Sequence, residues 1–89
     1  MISHLTEDFR ECFRKLPNEI KRVARKNYQI WKQDPSHPSL GFKRVHTKQP
    51  IYSIRVGIGW RALGIRKDDA ILWFWIGPHS VYSKLIDRL

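Results

Sequence analysis

The sequence has 89 residues, and its 17 lysines and arginines against 8 aspartates and glutamates give a formal net charge of +9. This length permits one modest core, so we expect a single domain over residues 1–89, and a hydrophobic content of 42% excludes a disordered chain. Because only Cys12 is present, and because no signal peptide and no run of roughly 20 apolar residues occurs, we expect a cytoplasmic, disulfide-free protein without a membrane span.

Two short helices are predicted at the N-terminal end. Thr6 suits the N-cap of the first helix. The residues that follow form one apolar stripe at helical spacing: Phe9, Cys12, Phe13 and Leu16. Pro17 ends this helix and suits the first turn of a second one, which is expected to run to about Gln33. The inward face of the second helix is predicted to consist of Ile20, Val23, Ala24 and Trp31. The pair should form a helical hairpin.

The pattern changes from helix to strand after residues 34–39, where two prolines indicate a loop without any regular element. Strands are predicted over 42–46, 51–56, 60–66 and 70–76, and turn sequences at 57–59 and 67–69 favour hairpins between the last three. The final strand has no polar residue, so both of its faces should be covered. The sequence therefore predicts an α+β fold: a helical hairpin packed on an antiparallel four-stranded meander, followed by a short C-terminal helix within 80–89.

The predicted helices cover the last strand, residues 70–76, only in part. The helical hairpin can cover one face, whereas the C-terminal segment offers few apolar residues for the other, namely Val81, Tyr82, Leu85 and Leu89. We therefore expect some apolar surface to remain for another chain.

Several common functional sites are absent from the sequence. There is no phosphate-binding glycine loop, no Cys/His pair at zinc spacing and no G-x-S-x-G nucleophile turn. The carboxylates are scattered and do not form a two-metal nuclease pattern, so neither a metal nor a cofactor is expected. The positive charge favours nucleic acid as the first partner to consider, although an acidic protein or a membrane surface fits the charge equally well.

Basic and aromatic residues on and after the predicted strands could carry chemistry. They are Lys43, Arg44, His46, Lys48, Arg55, Arg61, His79 and Tyr82. Metal-free RNA cleavage requires a base for the 2′-hydroxyl, an acid for the leaving 5′-oxygen and fixed positive charge at the phosphorane. Histidine and arginine supply these functions. DNA lacks the 2′-hydroxyl and would not react in this way.

Four segments resemble the RelE/ParE toxin superfamily in order and spacing. They are residues 16–20 (LPxEI), 34–43 (DPSHPSLxFK), 52–64 (YSIRVGxxWRALG) and 75–82 (WIGxHxxY). The resemblance covers nearly the whole chain and implies the fold derived above. It implies a toxin of a type II toxin–antitoxin module that is neutralised by a cognate antitoxin protein. Members are either endoribonucleases that cut mRNA, free or on the ribosome, and so inhibit translation, or non-enzymatic inhibitors of DNA gyrase.

The resemblance also implies roles for particular residues. Arg61 would stabilise the phosphate, His79 would transfer protons, and Tyr82 would stack on a base or orient the nucleotide. The RNA backbone would be held by Lys43, Arg44, Lys48 and Arg55. Some family members use a glutamate base, whereas no acidic residue occurs here between Asp34 and Asp68, and the N-terminal strand of many members is reduced to a few residues.

Each of these residues also has an ordinary structural explanation. His79 could cap the last helix or lie exposed in a loop, Arg61 could be a surface strand residue, and Tyr82 could pack on the central strand. The basic residues along the outer side of the second helix are interpreted as a solvated face. An inactive RNA-binding relative of the same fold is a third alternative to the ribonuclease and the gyrase inhibitor.

Overall fold

The computed structural model describes residues 1–89 and contains three α-helices and five strands. In chain order these are β1 (Ile2–Leu5), α1 (Glu7–Arg14), α2 (Asn18–Gln33), β2 (Lys43–Arg44), β3 (Ile51–Arg55), β4 (Trp60–Lys67), β5 (Ala70–Pro78) and α3 (His79–Arg88). None of the helices has the length and apolar character that crossing a membrane would require.

Both N-terminal helices lie where the sequence predicts them. The hydroxyl of Thr6 accepts a hydrogen bond from the backbone N–H of Phe9 over 3.0 Å, and this bond caps α1. Pro17 is the N-cap residue of α2, because its fixed φ angle is compatible with helix entry. The prediction of a loop without regular structure at 34–39 was wrong in part, because a 3-10 turn begins at Pro38. The His37 ring caps this turn by accepting the N–H of Ser39 over 3.2 Å.

The sheet has the strand order β1-β5-β4-β3-β2, with antiparallel pairing from β2 to β5. The predicted meander is therefore present, but β2 is limited to Lys43–Arg44 and does not extend over 42–46. The predicted count of four strands was wrong, because β1 adds a fifth strand parallel to β5, with Ile2 opposite Ala70. The four residues of β1 are too few for an alternation of apolar and polar residues to be recognised as a strand. Its partner β5 is also distant in sequence.

The two faces of the sheet have different partners. Ile54, Ala62 and Ile76 are paired across β3, β4 and β5 and belong to the core that also includes residues of α1 and α2. We call this side the helix face. Side chains of neighbouring residues point to the opposite side. There Arg61 contacts Tyr82 of α3, so α3 covers the second face, which we call the site face.

The core is centred on Trp31 of α2, which is fully buried. Its indole ring meets Phe42 and Trp73 edge-on, with ring centroids 5.8 and 5.4 Å away, and is parallel to the ring of Tyr28 at 6.2 Å. Such aromatic pairs stabilise a core beyond their buried area. The hydroxyl of Tyr28 also hydrogen-bonds Ser3, which links α2 to the strand that the sequence did not predict.

The central position predicted for the last strand is confirmed, since β5 lies between β1 and β4. Its site face is only partly covered. Leu72 and its cross-strand partner Ile65 are 42% and 38% exposed, as expected for apolar surface left free. The prediction that Val81 and Leu89 cover this face was wrong, because both are exposed. The helix begins at His79, and this start directs Tyr82, Leu85 and Ile86 toward the sheet, at the i, i+3 and i+4 positions of one stripe.

Candidate functional site

Arg61 lies on β4 with its side chain on the site face, where two contacts fix its guanidinium group. Nη1 donates a hydrogen bond to Oγ of Ser53 over 3.2 Å. The Cζ atom lies 5.3 Å from the centre of the Tyr82 ring, in the range of a cation–π interaction. Ser53 is itself completely buried, so the hydrogen bond anchors Arg61 to a rigid part of the sheet.

His79 is the first residue of α3 and follows β5 directly. Its backbone N–H donates to the carbonyl of Gly59 over 2.8 Å, which ties the start of α3 to the β3–β4 turn. The exposed imidazole lies 5.3 Å from the Tyr82 ring, measured between ring centroids. The residue before the helix, Pro78, occupies the cap position, and no side chain caps this helix. His79 is therefore an exposed residue of the first helical turn and not a cap.

Tyr82 joins the other two predicted catalytic residues. Its half-buried ring contacts the guanidinium of Arg61 and the imidazole of His79. The structure thus brings all three residues together, although they come from a strand, a strand end and a helix. The ring of Tyr82 lies against both the guanidinium of Arg61 and the imidazole of His79.

Two further cations lie on the site face near Arg61. Arg55 is its direct cross-strand partner. Lys43 on β2 is opposite Ser53, which precedes Arg55 by two residues on β3. Like charges in directly opposite positions destabilise a sheet. No carboxylate compensates for them, because the only ion pairs of the protein are those of Arg14 with two glutamates of α1. The site face therefore holds unneutralised positive charge, which an anion would stabilise.

The structure does not bring Arg44 and Lys48 to this cluster. Arg44 is opposite Tyr52 and so points to the helix face, where Nε donates to the carbonyl of His46 over 2.9 Å. Lys48 lies in the β2–β3 loop, at the end of β3 away from Arg55. His46 organises this loop, because its Nδ1 accepts the backbone N–H groups of Lys48 and Gln49.

A pocket of about 340 Å³ opens beside the cluster. It is lined by residues 57–60, which are the β3–β4 turn and Trp60, and by Arg55, Arg61 and His79. Sequence reasoning assigned no function to this turn, nor to Ser53. Strand alternation places Ser53 on the same face as Arg55, opposite to the face of Tyr52, Ile54 and Val56. This placement is the signal that the sequence offered for Ser53.

A second concavity lies on the helix face between the helices and the sheet. It has a volume of about 470 Å³ and is mostly apolar. Its aromatic lining residues are Phe9, Phe13, Tyr28 and Trp73. Three arginines also line it: Arg10, Arg14 and Arg25. We call it the helix-face groove. The indole N–H of Trp73 is buried and has no acceptor within the protein.

Nowhere in the chain do three His, Cys, Asp or Glu side chains lie close enough together to hold a metal ion. The site face presents arginine, histidine and tyrosine side chains. These groups can bind a phosphate and move a proton.

Comparison with solved structures shows the RelE fold. The toxin–antitoxin complex RelB–RelE from Methanococcus jannaschii contains a chain with a TM-score of 0.72 and 18% identity, over 90% of this chain and 95% of that one. The RelBE2 toxin–antitoxin complex from Mycobacterium tuberculosis gives 0.69 and 17%, over 86% and 95%. The isolated RelE toxin from E. coli gives 0.62 and 17%, over 98% and 96%.

At these identities the solved structures establish the fold alone, and no curated protein sequence matches the chain. The family follows from the sequence itself. Residues 18–84, about three quarters of the chain, match the model of the ParE-like toxin domain. The chain therefore belongs to the ParE-like toxin domain family, within the RelE/ParE superfamily of toxins.

Proposed function

We propose that this toxin domain is a metal-free endoribonuclease that cuts mRNA in the cytoplasm and thereby inhibits translation. The observation that carries the proposal is the cluster of Arg61, His79 and Tyr82 on the site face, next to the uncompensated charge of Arg55. Arg55 and Arg61 have no carboxylate partner within the protein, and a phosphodiester would supply the negative charge. A histidine beside it supplies proton transfer at neutral pH.

The reaction uses the RNA as its own nucleophile. The 2′-oxygen attacks the adjacent phosphorus, the bond from phosphorus to the 5′-oxygen breaks, and the products are a 2′,3′-cyclic phosphate and a 5′-hydroxyl. Arg61 stabilises the extra negative charge of the phosphorane, because Ser53 and Tyr82 hold its guanidinium in place before the substrate binds. His79 transfers a proton at one of the two oxygens, and water serves the other.

The remaining cations would hold the RNA chain. Lys43 and Arg55 share the site face with Arg61, so a single strand that crosses the sheet from β4 to β2 would pass all three. Arg44 and Lys48 would contact RNA only at a distance from the scissile phosphate, since they lie on the other face and at the far end of β3.

The function is tested by inducing the protein in a bacterial host and mapping mRNA ends by primer extension. The wild type is expected to arrest growth and to produce new mRNA ends. His79→Ala and Arg61→Ala should lose both effects while they accumulate as folded protein. His4→Ala is the matched control, because His4 is an exposed histidine on β1, two strands away from Arg61. It should behave as the wild type.

Other outcomes would identify the alternatives. Growth arrest without new mRNA ends would point to the gyrase inhibitor, which needs no proton-transfer residue, and a supercoiling assay with purified gyrase would then show inhibition. Absence of arrest at normal protein levels would contradict the toxin activity. It would leave an inactive RNA-binding relative.

We further propose that an acidic antitoxin segment neutralises the toxin by docking in the helix-face groove. The groove offers an apolar floor, and its arginine rim matches the carboxylates of an acidic chain. Arg10 is exposed and forms no ion pair, so it is free to bind such a segment.

Co-expression tests this partner. The product of an acidic reading frame next to the toxin gene should restore growth, and Arg10→Glu in the toxin should weaken this rescue by charge repulsion. Arg22→Glu is the control, because Arg22 is also exposed on a helix but does not line the groove. Equal rescue of all three toxins would contradict docking at the groove.

A further inference from the structure

The β3–β4 turn carries features that the proposed cleavage chemistry does not use. Ile58 is 99% exposed and lies between two glycines with positive φ angles, Gly57 at 64° and Gly59 at 83°. The left-handed backbone at these glycines holds the turn in a form that other residues rarely adopt. The bond from His79 to the carbonyl of Gly59 then fixes the turn beside the site.

The turn also presents free hydrogen-bond donors. The backbone N–H groups of residues 57, 58 and 59 have no acceptor within the protein. These three residues line the 340 Å³ pocket, together with Arg55, Arg61 and His79. A volume of this size is within the range of small-molecule sites, which are roughly 300–1,000 Å³. The pocket thus combines cations, neutral donors and two apolar side chains, Ile58 and Trp60.

The apolar surface that this pocket offers to a base does not include Tyr82. Tyr82 does not line the pocket, and its ring already contacts Arg61 and His79. Two apolar residues line the pocket: Trp60, which packs against the core, and Ile58, which is 99% exposed. A base next to the scissile phosphate therefore finds its open apolar surface at Ile58. Unpaired RNA bases are recognised by packing of their faces and by hydrogen bonds to their edges.

We propose that this turn pocket binds one nucleotide of single-stranded RNA next to the scissile phosphate; the assignment rests on the ribonuclease function proposed above. The base packs against Ile58, and its edge accepts hydrogen bonds from the N–H groups of the turn. The phosphate of the nucleotide lies between Arg55 and Arg61. The pocket then determines which nucleotide is preferred at the cleavage site.

Binding of an RNA that cannot be cleaved tests the pocket. The probe is a fluorescent single-stranded decamer of mixed sequence with 2′-O-methyl groups throughout, and its Kd is measured by anisotropy. Ile58→Ser should raise the Kd about fivefold, because the base then loses the apolar side chain against which it packs. The fold should be unaffected, because Ile58 makes no contact with the core.

Leu72→Ser is the matched control, because Leu72 is an exposed apolar residue at the other end of the site face. Its affinity should equal that of the wild type. Binding that depends on Arg61 but is unchanged in Ile58→Ser would overturn the pocket and leave the ribonuclease function intact. An equal loss of affinity in Ile58→Ser and Leu72→Ser would overturn the assignment of the base to the turn pocket. No binding by the wild type would overturn the pocket, whereas the ribonuclease function is decided separately by the mapped mRNA ends.

Discussion

Arg61 on β4 donates a hydrogen bond from Nη1 to the hydroxyl of Ser53 on β3, over 3.2 Å. The two residues are not direct cross-strand partners, since Ser53 is opposite Leu63 and Arg61 is opposite Arg55. The diagonal contact turns the guanidinium along the sheet and places it over the ring of Tyr82. A buried serine thus fixes the direction of the side chain to which we assign phosphate stabilisation.

Ser53→Ala should lower the rate constant of RNA cleavage, kcat, by about tenfold, because Arg61 then loses a charge-assisted hydrogen bond that orients it. The free energy of unfolding should fall by only about 1 kcal/mol, as expected for one hydrogen bond. Single-turnover kinetics and chemical denaturation measure the two effects. In an Arg61→Ala background the same substitution should leave the residual rate unchanged. A further loss there would contradict a role through Arg61.

Tyr82→Phe should retain most of the cleavage activity, whereas Tyr82→Ala should lose it. The contacts of Tyr82 with Arg61 and His79 are made by its ring, and its hydroxyl has no hydrogen-bond partner within the protein. A phenylalanine ring preserves both contacts. Steady-state cleavage of a fluorogenic RNA compares the variants. Equal inactivation by both substitutions would instead show that the hydroxyl takes part in the reaction.

Arg55→Ala should reduce the salt dependence of RNA binding. Each phosphate contact with a single strand contributes roughly 0.7 to the slope of log Kobs against log salt concentration. The slope should therefore fall in magnitude by about 0.7 when Arg55 is removed. Lys26→Ala is the control, because Lys26 is exposed on α2, which covers the helix face. A loss of slope in both variants would indicate binding without a preferred face.

Gly77→Ala should destabilise the protein by about 2 kcal/mol through overpacking. Gly77 is opposite Arg61, and a β-carbon there would lie 2.6 Å from Cζ2 of the Trp75 ring. The indole of Trp75 must then move. Thermal unfolding checks the change, with Ser80→Ala as a control at an exposed position of α3. An unchanged Tm would show that the ring can move without cost.

The sequence determined the parts of the fold that have a local cause. Thr6 and Pro17 set the starts of α1 and α2, and the turn residues between the later strands set the meander. The family resemblance added Arg61, His79 and Tyr82, which lie together in the structure. The strand β1 was missed, because its parallel pairing with β5 is a contact between distant parts of the chain that local patterns do not encode.

The sequence by itself thus determined the helices, the meander and the residue types of the site, because capping, turn chemistry and alternation act over a few residues. The tertiary structure alone decided which of the basic residues lie together. Pairing of β2 with β3 turned Arg44 to the helix face and Lys43 to the site face, although they are adjacent in sequence. Pairing of β3 with β4 brought Ser53 to Arg61, and the start of α3 brought His79 to the β3–β4 turn. These contacts depend on strand register and on the start of α3, which are set by packing of the whole domain.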